Sequence, residues 1–358
     1  MQDRPPANLS DGDTNSESQS PPAEVPTIVN NVITWKTIQW TEGMRSLPVT
    51  IPLSRNYKQN GPLIVRIGTE PKSNYDELEK LLLPESRGVV SVWSAPFNLR
   101  DETSVSRTVE RRFQIGDRVH RILEETGESI ARHVWDAGVT LSCQLPHLLD
   151  KLGILGKSLK QAQSNVEVEE AQETEHPLRV VELGTGCGMV GITLSHLLPQ
   201  GKVWLTDLSE ASEIVELNLH LSKENHKNKA SIGFTELDWE EPLSQKEWPS
   251  LDEPDQVVRE GNYTDHVDLV IAADCTYNAD SSPAFVNTIR QIAAGSPKAV
   301  VAIAMKRRHE SEAIFFDLMS EARFETVDTI YLPLPGDEKA GEENVEIYIF
   351  KYIGEPSK

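Results

Sequence analysis

The segment Val180 to Gly191 restricts the fold of this chain more than any other part of the sequence. It reads VVELGTGCGMVG, an apolar run that passes at once into four closely spaced glycines. This order is typical of a β-strand, a tight turn and a helix. Glycine allows the turn backbone conformations that other residues rarely adopt, and it allows a ligand to approach the backbone closely. We therefore predict a strand, a ligand-cradling turn and a helix at this point.

After Pro177 the sequence alternates between two patterns. LRVVEL, KVWLTDL, ASIGFTELDW, HVDLVIAADCTY and KAVVAIAMK are predicted strands, with amphipathic helical stretches after most of them. ETVDTIYLPL and NVEIYIFKYI follow with no helical pattern between them, which predicts an antiparallel hairpin. The fold predicted is therefore α/β: a Rossmann-like, doubly wound, seven-stranded sheet with a terminal antiparallel hairpin, as in class I methyltransferases. With a helix predicted from Ser129 to Leu152, this domain spans residues 129–358.

Two ligand classes fit the glycine turn. Residues 186–191 spell G-x-G-x-x-G, which is typical of dinucleotide binding, whereas residues 182–188 spell acid-x-G-x-G-x-G, which indicates S-adenosylmethionine (SAM). Glu182 favours SAM, because a carboxylate can approach the ammonium of its methionine part but would repel a pyrophosphate. Asp207, at the end of the next strand, suits the ribose hydroxyls of either ligand. We therefore predict SAM as the cofactor.

Two further strand ends supply candidate site residues. Asp238 and Trp239 follow the third core strand, where the carboxylate can meet the adenine amino group and the indole can lie against the ring. The fourth strand ends in AADCTYN, in which Ala273 is small enough to let a cofactor approach. Asp274 and Tyr277 are then placed to face the reacting centre. Each of these polar or aromatic residues has an equally weighted structural alternative, as a turn or capping aspartate or as a packing aromatic side chain.

Composition distinguishes a tail, an extension and two insertions in the rest of the chain. Residues 1–25 are rich in Ser, Pro, Asp and Asn and are predicted to be a disordered tail. Residues 26–128 contain short runs such as VITWKTIQW, LPVTIPLS, GPLIVRIG and RGVVSVW, which predict a β-rich extension. Two polar stretches, 156–177 and 240–265, are predicted to be exposed insertions in the domain.

The charge excludes some classes of partner. Lys and Arg total 35 against 56 Asp and Glu, a net charge of −21, so we expect no nucleic-acid binding. We also expect no membrane span, because no apolar run reaches the roughly 18 residues that a spanning helix needs. The three cysteines have no C-x-x-C spacing, which fits a reducing compartment without a zinc site. The expectation is a cytoplasmic monomer without a metal, with the nucleus as the alternative compartment.

Several motifs together resemble family 16 of the seven-β-strand methyltransferases, which includes protein-lysine methyltransferases. They are HVWDAGVTLS, VVELGTGCGMVG, VWLTDLSEASEIVELNL, LDW, AADCTYN and MKRRHESEAIFFDLM, spread over about 230 residues from Ser129 onward. The resemblance implies that Trp135 packs at the SAM site and that Asp207 holds the ribose. It also implies cofactor contacts from a set of residues in the turn and the strand ends: Gly184, Thr185, Gly186, Trp239 and Ala273. Asp274 and Tyr277 match the D-x-x-Y motif at the mouth of the lysine channel.

The resemblance implies an enzyme that transfers methyl from SAM to a lysine of a non-histone protein, with a translation elongation factor as the suggested substrate. The β-rich extension and the acidic insertion depart from compact members of the family and leave the substrate open. Three alternatives remain: a small-molecule N-methyltransferase, a nicotinamide dinucleotide oxidoreductase and a non-catalytic SAM-binding adaptor. The basic stretch Lys306 to His309 either lines the substrate mouth or is a solvated loop.

Overall fold

A computed structural model describes residues 32–41, 44, 46–69, 73–100, 106–116, 118–127, 129–152, 177–223, 229–243, 251, 267–335 and 344–354. The predicted tail (1–25) lies outside these residues. So do residues 156–176 of the first predicted insertion and residues 244–250 and 252–265 of the second.

The amino-terminal part of the described chain forms a small sheet of its own. Its strands are β1 (Arg66–Ile67), β2 (Asp76–Glu77), β3 (Val92–Ser94), β4 (Thr108–Ile115) and β5 (Arg118–Glu125). The order is β1-β3-β4-β2, and β5 pairs with β4 as an antiparallel hairpin. This sheet is the β-rich segment that the sequence predicts.

The second sheet has seven strands. They are β6 (Leu178–Leu183), β7 (Gln200–Asp207), β8 (Lys229–Glu236), β9 (Leu269–Ala273), β10 (Val300–Met305), β11 (Phe324–Pro333) and β12 (Asn344–Tyr352). Their order is β11-β12-β10-β9-β6-β7-β8. The pairs from β10 through β8 are parallel, and β12 is antiparallel to both of its neighbours. The predicted doubly wound sheet with its terminal hairpin is confirmed.

Helices cover both faces of this sheet. They are α1 (Asp136–Lys151), α2 (Met189–Leu197), α3 (Ser212–Lys223), α4 (Ser282–Gly295) and α5 (Ile314–Glu321). Buried residues of α1, α2 and α3 pack on one face, together with Leu78, Phe113 and Ile122 of the amino-terminal part. Residues of α4 and α5 pack on the other face. Alternate side chains of the central strands enter the two cores, as expected for a sheet buried on both sides.

Two of the predicted amino-terminal strands do not form. The described residues 32–40 and 47–54 are irregular, and Trp35 and Trp40 are 67% and 58% exposed. A tendency to form strands depends on a pairing neighbour, and the described part of the chain offers these residues none. The long strands of this region are β4 and β5 instead. Within the described residues, no helix has both the length and the apolar character needed to cross a bilayer.

Candidate active site

The candidate residues gather at one edge of the seven-stranded sheet. Strands β6, β7, β8 and β9 run parallel, so their carboxyl ends share that edge. Ligands of open α/β sheets bind outside the carboxyl ends of the strands, where the strand order reverses. Here the order reverses between β6 and β9, and the glycine turn follows β6 directly.

The glycine turn takes left-handed backbone conformations at Gly184 (φ +63°) and Gly186 (φ +57°). A Cβ added at Gly184 would lie 2.5 Å from Sγ of Cys275 and 3.3 Å from the ring of Trp239. The N–H of Thr185 donates to the carbonyl of Thr206 in β7 at 2.9 Å. Glycine is therefore required at 184 both by the backbone and by its neighbours, and the turn is fixed against the next strand.

Glu182 lies beneath the turn. Its side chain is on the face of β6 that carries Val180 and packs against α2, because alternate residues of a strand share a face. Oε2 accepts the backbone N–H of Gly191 at 2.9 Å, and burial raises the pKa of the carboxyl group to about 8. This position differs from the expected approach to a ligand ammonium. It indicates that Glu182 ties the strand to the helix and so shapes the turn.

Asp207 ends β7 beside the turn. Its Oδ2 accepts the N–H of Gly186 and its Oδ1 accepts the N–H of Leu208, each at 2.8 Å. Burial raises the pKa of this carboxyl group above its ordinary value. Each carboxylate oxygen has a second lone pair, so Asp207 can hold the turn and still accept two hydroxyl groups.

Asp238 and Trp239 follow β8 at the same edge. Oδ1 of Asp238 accepts the N–H of Glu240 at 2.9 Å, as a turn aspartate does. The Trp239 ring packs against Phe285 of α4, with ring centres 4.7 Å apart. Its indole N–H is buried and has no acceptor among the described residues. This donor would be satisfied by a heteroatom of a ligand bound against the turn.

The end of β9 carries Ala273, Asp274 and Tyr277. Asp274 is 8% exposed and has a left-handed backbone (φ +57°), with its N–H donating to Ala304 at 2.9 Å. Tyr277 is 50% exposed, and partial burial raises the pKa of its hydroxyl group. A buried carboxylate thus lies three residues from an accessible phenol on one loop.

Arg308 is a site residue that the sequence did not single out. Its Nη1 and Nη2 donate to Oδ1 and Oδ2 of Asp274 at 2.9 and 3.2 Å. Its guanidinium carbon lies 5.7 Å from the ring centre of Trp135. Only the basic stretch was visible in the sequence; the partner, 34 residues away, was not. The neighbouring Lys306 and Arg307 form ion pairs with Asp136 at the start of α1 and Glu346 in β12, so this stretch is held by two other elements of the domain.

Trp135 comes just before α1 and is 40% exposed, with its indole N–H donating to Ile130 at 3.0 Å. The backbone of this segment crosses the glycine turn. The carbonyl oxygen of Ala131 would lie 3.1 Å from a Cβ added at Gly186. The segment that carries Trp135 therefore lies near both the glycine turn and the Arg308–Asp274 pair.

Hydrogen bonds connect the amino-terminal sheet to the elements that support this site. Asn218 of α3 is fully buried; it accepts the N–H of Leu123 in β5 at 2.7 Å and donates to the carbonyl of the same residue at 2.9 Å. It also donates to the carbonyl of Cys187 in the glycine turn at 2.8 Å. Glu124 accepts the N–H of Val134 at 2.8 Å. One strand of the extension thus supports both the turn and the segment that crosses it.

These groups fit SAM. Glycine at positions 184 and 186 keeps the turn free of side chains, Asp207 has acceptor capacity for ribose hydroxyls, and Trp239 presents an unsatisfied donor beside the turn. Within the described residues, no group of three or more His, Cys, Asp or Glu side chains is arranged to hold a metal ion.

Curated relatives share part of the chain. Protein-lysine N-methyltransferase EFM6 of Saccharomyces cerevisiae is 29% identical over 203 residues, 55% of this chain and 72% of that protein. EEF1A lysine methyltransferase 3 of Xenopus tropicalis is 26% identical over 145 residues, 40% of this chain and 54% of that protein. UPF0665 family protein C23C4.06c of Schizosaccharomyces pombe is 28% identical over 193 residues, and the match spans 54% of this chain and only 47% of that protein.

A family model also matches the chain. It is that of methyltransferase family 16, described as lysine methyltransferase, and it covers residues 116–322. The match runs from the turn between β4 and β5 to the end of α5, and it includes every candidate site residue named above. The chain therefore belongs to the lysine methyltransferase family.

Proposed function

We propose that the protein transfers a methyl group from SAM to the side-chain amine of a lysine in another protein. The observation that carries this proposal is the placement of the buried Asp274 carboxylate and the accessible Tyr277 beside the glycine turn of a lysine methyltransferase family member. SAM supplies a methyl group on a sulfonium whose sulfide is already a good leaving group, so the chain must mainly provide proximity and alignment.

We assign the cofactor side to residues around the turn. Gly184, Thr185 and Gly186 form the turn against which the methionine part of SAM packs, and Asp207 accepts the ribose hydroxyls. Asp238, Trp239 and Ala273 border the adenine and the remainder of the pocket. Glu182 supports the turn from beneath through its bond to α2.

We assign the acceptor side to Asp274 and Tyr277. We also assign Trp135 to this side rather than to the SAM site expected from the sequence, because its ring lies 5.7 Å from the guanidinium of Arg308, which pairs with Asp274. A lysine amine has an ordinary pKa of about 10.4 and must lose its proton before it attacks. The half-exposed aromatic rings of Trp135 and Tyr277 desolvate an incoming ammonium, and desolvation lowers its pKa. The Asp274 carboxylate attracts and orients the cation, and Tyr277 positions the amine.

The protein substrate is proposed from the relatives and the charge. One relative is named as a lysine methyltransferase of EEF1A. A chain with a net charge of −21 favours a basic protein partner. We propose an elongation factor as that partner, methylated in the cytoplasm by a monomeric enzyme.

The test uses the purified protein, methyl-labelled SAM and a cell lysate, followed by mass spectrometry of each labelled band. We expect a labelled protein that carries methyl-lysine. The label should be lost with Asp207→Ala, because loss of a carboxylate that accepts hydroxyls should weaken SAM binding on the order of 10- to 100-fold.

Asp317→Ala is the matched control, because this exposed carboxylate lies on α5. It should leave the labelling unchanged. SAM binding without a labelled protein would contradict the proposal and favour a small-molecule acceptor or a non-catalytic adaptor.

A further inference from the structure

Within the described part of the chain, several groups donate hydrogen bonds to the Asp274 carboxylate. Arg308 donates to both oxygens, at 2.9 and 3.2 Å. The backbone N–H of Lys306 donates to Oδ1 and that of Ala137 donates to Oδ2, each at 3.3 Å. A carboxylate has about four acceptor positions. An acceptor amine can therefore reach Asp274 only if one of these donors leaves.

Arg308 is the donor that can leave. The N–H of Ala137 is fixed in the first turn of α1, and that of Lys306 directly follows β10. The Arg308 side chain is 35% exposed, whereas that of Asp274 is 7% exposed. The backbone N–H of Arg308 is held by Glu312 at 2.9 Å, so the backbone stays in place when the guanidinium swings outward. That movement breaks the bonds to Asp274 and one from Nη1 to the carbonyl of Lys306 at 3.1 Å.

The guanidinium also occupies a cation site with two walls. One wall is the buried carboxylate of Asp274, which raises the pKa of Arg308 further. The other wall is the ring of Trp135, 5.7 Å from the guanidinium carbon. A carboxylate next to an aromatic face is also a suitable site for an alkylammonium ion.

We infer that Arg308 is a displaceable cation that fills the acceptor site of the free enzyme and selects a cationic side chain as its replacement. This inference rests on the proposed function, because it identifies the Asp274 site with the lysine site. Exchange of one cation for another keeps the buried carboxylate paired. A neutral side chain would leave it without a counter-ion, which is strongly unfavourable in a buried position. Arg308 therefore sets specificity, and it acts on the substrate through Asp274.

The probe for this inference is Nα-acetyl-lysine methylamide, with Nα-acetyl-norleucine methylamide as the neutral analogue of similar shape. Both are titrated into the full protein in the presence of S-adenosylhomocysteine. The side-chain Nε–H signals of arginine are followed by ¹⁵N NMR, with Arg308→Gln used to assign the Arg308 signal. We expect the lysine probe, and not the norleucine probe, to shift that signal.

Affinity provides a second readout. When a side chain of the protein occupies a binding site, the apparent affinity for the ligand is the intrinsic affinity multiplied by the fraction of molecules in which the site is free. Arg308→Gln should therefore tighten binding of the lysine probe, by roughly 3- to 10-fold. Arg307→Gln is the matched control, because Arg307 pairs with Glu346 and Tyr348; it should leave the affinity unchanged.

Weaker or unchanged binding in Arg308→Gln, or no shift of the Arg308 signal in the unmodified protein, would overturn the inference and leave Arg308 as a fixed support of the Asp274 loop. Arg308→Lys, which keeps a cation beside Asp274, also removes the Arg308 signal and so provides the assignment in the unmodified protein if Arg308→Gln fails to fold. Failure of the proposed function is distinguishable, since the lysate assay would then show no methyl-lysine whatever the NMR titration gives.

Discussion

Glu182 is the residue with the clearest link between burial and pH. The residue is 2% exposed, and the pKa of its carboxyl group is raised from 4.5 to about 8 because burial disfavours the charged form. A raised pKa in the folded state means that the folded protein holds a proton that the unfolded chain releases. The stabilising contribution is complete below pH 4.5, falls as pH rises and is lost above about pH 8.

We predict that Glu182→Gln removes this pH dependence. Between pH 5 and 8 the unmodified protein should lose stability relative to the variant by up to about 1.4 kcal/mol per pH unit. The measurement is the free energy of unfolding by denaturant at several pH values. Glu236→Gln, at an exposed carboxyl group ending β8, should follow the unmodified protein. Parallel curves for Glu182→Gln and the unmodified protein would contradict the prediction.

The sequence predicted the positions of some site residues but not the contacts that others make. The position of Asp207 at a strand end followed from chain order, because parallel strands bring their carboxyl ends together. The direction of the Glu182 side chain did not, since it depends on which face of β6 meets α2. The pairing of Asp274 with Arg308 was also missed, because it joins loops that only the tertiary fold brings together.

At the scale of elements, α3 joins β5 to the glycine turn. The joint is the fully buried Asn218, whose three hydrogen bonds all go to backbone groups of Leu123 and Cys187. A buried backbone group left without a partner costs about 1–3 kcal/mol. One side chain therefore couples the extension to the turn.

We predict that Asn218→Ala destabilises the protein by roughly 2–5 kcal/mol and weakens SAM binding, because the Cys187 carbonyl in the turn loses its donor. Denaturant unfolding measures the first effect and calorimetric titration with SAM the second. Leu217→Ala, one residue earlier and 47% exposed, is the control and should change both values little. A full loss of stability at unchanged SAM affinity would show that the turn does not depend on this joint.

The core strands could be predicted from the sequence because their apolar patterns are strong. LRVVEL forms β6, and the two closing stretches form the β11–β12 hairpin as predicted. Strands β4 and β5 were not singled out, because polar residues that suggest exposure are buried there in ion pairs, such as Glu110 with Arg112 at 2.6 Å. Composition alone cannot distinguish a buried ion pair from a solvated face.

For the molecule as a whole, the amino-terminal extension consists of an exposed part and a buried part, and removal of the two is expected to affect stability differently. The described residues between 32 and 50 are mostly exposed, whereas Leu78 and Trp93 are 3% and 4% exposed in and beside the small sheet. Burial and backbone pairing decide whether a segment can be removed.

We predict that removal of residues 1–50 changes the melting temperature by no more than about 2 °C, since exposed changes usually shift stability by less than about 0.5 kcal/mol. Removal of residues 1–105 takes away β1, β2 and β3 and opens the edge of β4, so this variant should aggregate or melt much lower. Thermal melting and light scattering after gel filtration test both variants. Equal stability of the shorter form would show that the small sheet is not part of the folded unit.

The position of β12 has a consequence for synthesis on the ribosome. This strand lies between β10 and β11, so β10 has only β9 as a neighbour, and β11 has none, until residue 352 has left the exit tunnel. The nascent chain must therefore carry an open β10 edge for the time in which about 50 further residues are added, at roughly 5–20 residues per second. Such edges attract other strands. The β10 edge is thus exposed to other strands for longer than any edge of a sheet that grows outward in chain order.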